Sequence, residues 1–215
     1  MTGLERFGGF TTIVDGRHPS VERLARELSR GRGALGVIRA CFEWVRDRIP
    51  HTVDHDLDPV TCSASEVLRE GTGFCYAKSH LLAALLRANG VPTGFVYQRL
   101  TLDTRGTRFC LHGLNAVWLA AFGWYRLDPR GNRADLRAEF DPPHEVLPYA
   151  WRVKGERLFP EIRWEPLPLV VDALRRHRTR AALEANLPDA STLDQFSSGV
   201  VFARRVETLE RPRTR

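Results

Sequence analysis

Residues 71–80 read GTGFCYAKSH: two glycines, then a cysteine heading an apolar run that continues LLAALLRAN to Gly90 and Pro92. The Asn89-Gly90 ending is a helix C-terminal signal, so the stretch predicts a helix that begins at Phe74 or Cys75. A thiol attacks only as thiolate, and the unsatisfied amides of a helix N-terminus favour that anion. Gly71 and Gly73 would let the backbone bend sharply and approach a substrate closely. The same amides, that of Cys75 included, are free to hold an oxyanion. Glycine-rich entries to helices are common, so this setting marks a nucleophile only if partners lie elsewhere in the chain.

Upstream, Val21, Leu24, Ala25 and Leu28 share one helical face over residues 20–29, ended by Gly31 and Gly33. Leu35, Ile38, Cys41, Phe42, Val45 and Ile49 repeat that period until Pro50. Cys41 lies on this stripe and is expected in the core. HTVDHDLDP (51–59) reads as a polar loop. Ser63 with Glu66 three residues on is a capping-box pattern for a short helix through Leu68. Downstream, residues 94–102, 112–119 and 124–128 are rich in β-branched and aromatic side chains and read as strands. After Gly131 the pattern weakens to one or two helices following proline breaks.

His112 opens one of these strands and Asp128 closes the next. A thiol nucleophile needs an imidazole to take its proton and a carboxylate or amide to orient that imidazole. Strand parity tests the match. A three-residue loop at 119–121 pairs His112 with Asp128 directly, whereas a two-residue loop at 121 and 122 sends them to opposite faces. A bulge at Gly123 would reset the count. The spacing permits the dyad without forcing it.

SASEVLREGTGFCYAKSHLLAALLRANGVPTGFVYQRL, followed by HGLNAVWL and GWYRLDPRGN, resembles the bacterial transglutaminase-like family, whose members are often described as cysteine proteases. The resemblance runs to about Pro188 and is densest from Val45 to Asn132. It implies an α+β fold with a papain-like core, a cysteine-bearing helix packed on an antiparallel sheet. It also matches the family's catalytic cysteine, histidine and aspartate to Cys75, His112 and Asp128. Many relatives carry an aromatic residue two positions after the histidine, where this chain has Leu114. On this basis residues 1–193 form one transglutaminase-like domain, with its core at about 35–132 and a helical or irregular extension at 133–193. Residues 194–215 are expected to be a flexible tail.

Composition narrows the remaining classes. The 215 residues are 43% hydrophobic with a net charge of +6, and the basic residues, almost all arginine, are interspersed with acids. No stripe marks a nucleic-acid groove. The N-terminal stretch carries Glu5 and Asp15 without an apolar segment, so no secretory signal is read there, and no stretch is long and apolar enough to span a bilayer. The four cysteines form no CxxC pair and read as reduced thiols, consistent with a cytoplasmic protein.

Cys110 should share the face of His112 but lacks a helix N-terminus, so it reads as a buried or pocket-lining thiol, and Cys62 as structural. His51, His55, Asp54, Asp56 and Asp58 would make a metal site only if clustered, and the bland alternative is a solvated loop at the rim of the site. His80 is expected to be satisfied locally, and Trp118 and Trp124 to pack on the sheet. The expectation is a cysteine-dependent amide or peptide hydrolase acting through a thioester, with no cofactor and a peptide or protein substrate. The alternatives are amine transfer, or a non-catalytic peptide-binding module on the same scaffold.

Overall fold

The computed structural model describes residues 3–150, 153–194 and 200–202. Four helices come first: α1 (Pro19–Ser29), α2 (Ala34–Arg48), α3 (Ala64–Glu70) and α4 (Cys75–Ala88). The strands β1 (Thr93–Thr101), β2 (Phe109–Leu119) and β3 (Gly123–Leu127) follow. Then come β4 (Glu139–Asp141), β5 (His144–Val146), β6 (Arg157–Leu158), β7 (Glu161–Arg163), α5 (Pro168–Arg176), α6 (Arg180–Glu184) and β8 (Val200–Phe202). The main sheet runs β3-β2-β1-β7-β8, with β6 also on β1, and every pairing is antiparallel. Helices packed on an antiparallel sheet are the α+β class expected. Among the described residues no helix is long and apolar enough to cross a membrane.

Helix α4 is the centre of the molecule. Every residue from Cys75 to Arg87 is buried, the polar Lys78, Ser79, His80 and Arg87 included. It packs against α1, α2 and α3 on one side and β1 and β2 on the other. Leu81, Leu82, Leu85 and Leu86 are wholly enclosed, each contributing on the order of 1.5–3 kcal/mol. Its one buried arginine, Arg87, donates to three carbonyls from distant stretches: Gly9 at 2.7 Å, Thr93 at 2.6 Å and Trp164 at 2.5 Å.

The first turn of α4 lies directly on β2. A Cβ placed on Gly113 would meet Tyr76 Cδ1 at 3.0 Å and Tyr76 Cα at 3.3 Å, so only glycine admits the helix this close. Tyr76 donates its hydroxyl to the Leu111 carbonyl, and Ser79 Oγ donates to the Gly113 carbonyl at 3.2 Å. Asn115 Nδ2 closes the seam by donating to Ser79 O at 3.1 Å.

Several sequence expectations need correction. Gly71 does end α3, at φ +68°, after the capping box that Ser63 and Glu66 form. A Cβ on Gly73 would meet Thr61 Oγ1 at 3.2 Å and Ala77 Cβ at 3.3 Å, so the glycine also serves close packing inside the protein. The region after Gly131 holds β4 to β7 as well as α5 and α6, strands of two or three residues that are too short to leave a periodic pattern. Within the expected tail, Val200–Phe202 pairs with β7 and extends the sheet; residues 195–199 and 203–215 lie outside the described residues.

Replacing Gly113 with alanine should lower stability by about 1–3 kcal/mol, the usual range for overpacking, because the added carbon meets backbone as well as a side chain. Urea unfolding measures this, and an unchanged midpoint would contradict the seam.

Candidate active site

Cys75 is the first residue of α4, and Phe74 ahead of it supplies no side-chain cap. Its amide is nevertheless not free. Cys75 N–H donates to Nε2 of His51 at 3.2 Å, so a histidine expected on a solvated loop is buried against the head of the helix. Local pairing puts it there: Thr52 N–H donates to Gly73 O at 3.2 Å, and Thr72 Oγ1 to Pro50 O at 3.0 Å. Lys78, one turn along α4, donates its Nζ to the carbonyls of Arg46 and Ile49, capping the end of α2 where this segment begins.

His112 and Asp128 meet. His112 Nε2 lies 2.5 Å from Asp128 Oδ2, while Asp128 Oδ1 accepts the Arg130 amide at 2.9 Å. The hairpin pairs Leu119 with Gly123 and Asn115 with Leu127, so the loop has three residues, one position later than the direct-pairing register. Parity is preserved, and Asp128 reaches His112 diagonally from opposite Leu114. Strand β3 pairs only with residues 115–119 of β2, so His112 stands beyond its last partner. Leu114 itself is buried in a small cluster with Phe7, Val96, Ala116 and Ile162.

The Cys75 sulfur lies close enough to the His112 ring to act on it electrostatically. With Nε2 held by Asp128, Nδ1 is the ring nitrogen left for a second partner. Burial disfavours a charged His112, but the Asp128 carboxylate and the Cys75 sulfur outweigh it and raise the ring to about 10. Cys75, His112 and Asp128 retain 7%, 5% and 1% exposure. The Tyr149 ring stands edge-on to His112, 4.9 Å between centroids, and Gln98 Nε2 holds the Tyr149 carbonyl at 3.1 Å.

Residues not anticipated complete the surroundings. Arg130 pairs with Asp54 at 2.8 Å, and Asp54 also accepts from Arg133 at 3.2 Å. Asp56 and Asp58 instead hold Arg180 of α6, so the 51–59 loop is tied down rather than gathered around an ion. Among the described residues no three His, Cys, Asp or Glu side chains assemble as a metal site requires.

The other three thiols are also buried. Burial pushes Cys41 and Cys110 up to about 12 and Cys62 up to about 11. His80 Nδ1 donates to the Cys62 carbonyl at 2.7 Å. Trp118 and Trp124 stack edge-on at 5.7 Å near the turn, and Trp124 also packs on Phe7 at 4.7 Å.

Residues 22–129 match the family model of the transglutaminase-like superfamily. Among solved structures, similarity extends to a candidate cysteine protease from Cytophaga hutchinsonii at 15% identity and a TM-score of 0.49, covering 60% of this chain and 43% of that one. The periplasmic domain of TgpA from Pseudomonas aeruginosa is similar at 21% identity and a TM-score of 0.46, covering 59% and 46%. The chain thus spans less than half the length of either structure. No curated protein matches the sequence.

The raised titration of His112 has a measurable sign. Its pairing contributes stability that is fully present below about pH 6.5, the unfolded value, and is lost as pH rises through about 10. The stability difference between the protein and its His112→Gln variant should therefore shrink between those limits. In Asp128→Asn the ring should lose its proton at lower pH, as read by NMR of the imidazole. A wild-type ring titrating near 6.5 would remove the ion pair.

Proposed function

The chain belongs to the transglutaminase-like superfamily, and we propose that it is a cysteine-dependent amide or peptide hydrolase using Cys75, His112 and Asp128. The observation that carries this reading is the His112 imidazole, bound through Nε2 to Asp128 and set near the Cys75 sulfur at the start of a helix. The roles follow from that geometry. His112, raised to about 10, acts as general base and takes the thiol proton, which leaves the sulfur as the attacking thiolate. The thiolate attacks the carbonyl carbon, and His112 passes its proton to the departing amine, leaving a thioester. Asp128 holds the ring orientation and stabilises its charge. His112 then takes a proton from water as the thioester is hydrolysed, and Cys75 is regenerated.

Water rather than an amine is favoured as the acceptor. Amine transfer needs a site that excludes water and guides a second substrate. Leu114 is enclosed in the core, and Trp118 and Trp124 are occupied with each other and with Phe7. Neither supports an aromatic channel.

Brief labelling with iodoacetamide near neutral pH should modify Cys75 ahead of the other three cysteines, and His112→Ala should slow that labelling and abolish turnover. Asp128→Asn should cost less than His112→Ala. Early label concentrated on Cys110 or Cys62 would refute the assignment, as would near-normal activity in His112→Ala.

With a glutamine-containing peptide and excess labelled primary amine, mass analysis should find the free acid or a cleaved peptide. Amine incorporation that rises with amine concentration while hydrolysis falls would make the protein a transglutaminase instead.

A further inference from the structure

When a thiolate adds to a carbonyl, the electron pair of the C=O bond moves onto oxygen, and a donor beside the sulfur must meet it. The Cys75 N–H is that donor, and here it is already engaged by His51 Nε2 at 3.2 Å. The ring is neutral: burial, then Arg130, push it down to about 3 against the pull of Asp54. Its proton therefore sits on Nδ1, which has no hydrogen-bond acceptor and lies 3.9 Å from Asp54 Oδ2. The backbone around His51 is pinned by the Thr52–Gly73 and Thr72–Pro50 hydrogen bonds and by Lys78 on Ile49 O. The imidazole can leave the amide only by turning about its own side-chain bonds.

We propose that His51 is a positioning residue that occupies the oxyanion site at rest and yields the Cys75 N–H to the substrate oxygen as the tetrahedral adduct forms. The inference rests on the acyl-transfer reading of Cys75. In the exchange the C–S bond forms, the carbonyl pair becomes an oxyanion that accepts the Cys75 N–H, and the imidazole lone pair is released without proton transfer. A neutral carbonyl offers this amide no more than the imidazole does, so the ground state gains little by displacing the ring. An oxyanion makes a charge-assisted bond roughly twice as strong, so the exchange favours the adduct. An interaction gained only on the way to the transition state raises turnover rather than ground-state affinity.

The probe is an N-acetyl-tripeptide aldehyde, which adds to a thiolate as a hemithioacetal. His51→Phe keeps a ring in place but removes the lone pair, so the adduct no longer has to break a hydrogen bond. It should form about five-fold tighter, the equivalent of one ordinary hydrogen bond. A role as helix cap alone predicts the reverse, and equal or weaker binding in His51→Phe overturns the proposal. A measurement on the unaltered protein guards against a variant that fails to fold. The 15N resonance of His51 Nε2 should move to the value of a ring nitrogen without a hydrogen bond when the aldehyde is added. A resonance that stays put while Cys75 carries the adduct also overturns it. Failure of the underlying function looks different: the aldehyde then forms no adduct that Cys75→Ala removes, and the proposal for His51 falls with it.

Discussion

The approach of α4 to β2 at Gly113 sets the rest of the site. Because that strand residue has no Cβ, the Tyr76 backbone lies against it, and the hydrogen bonds from Tyr76, Ser79 and Asn115 lock the contact. His112 is the next residue along the strand and Cys75 the residue before Tyr76. One steric allowance thus brings the sulfur and the imidazole together from segments more than thirty residues apart in the chain. A helix so completely buried can be held at this distance because the leucines beyond the first turn fix its axis from the other side.

Two histidines flank the same cysteine and are driven in opposite directions. Burial disfavours charge on both. At His112 a carboxylate in direct contact reverses the effect, whereas at His51 the Arg130 cation adds to it and Asp54, farther off, only partly opposes it. The outcome is one imidazole suited to carry a proton and one suited to accept a hydrogen bond. Contacts of two to four ångströms decide this, and the residue type alone does not.

That division explains what could be read from the sequence. Helix α4 was legible because glycine and proline punctuate both of its ends, and β2 and β3 because apolar parity survives in them. The dyad was legible up to its offset, since parity fixes the face while the loop at residues 120–122 fixes which residues lie opposite. His51 was not legible. It belongs to a polar loop without periodicity, and its place depends on a bridge to Gly73 and on Lys78 capping α2, both long-range contacts. Tyr149 follows strands of three residues and was hidden for the same reason. Leu114 stands where many relatives carry an aromatic residue, and its burial beside Phe7 and Val96 makes it part of the core.

Arg87 has a consequence for how the fold is kept whole. Its guanidinium is buried and is satisfied by carbonyls near the start of the chain, at the start of β1 and just beyond β7. Water replaces a lost carbonyl readily at the surface, but not at this depth. Peeling away any one of the three stretches therefore strands a cation inside the protein and weakens the hold on the other two. The stretch around Gly9 and the segment just beyond β7 are thus coupled through one cation, and a local breach in either is felt at the end of the helix that begins with Cys75.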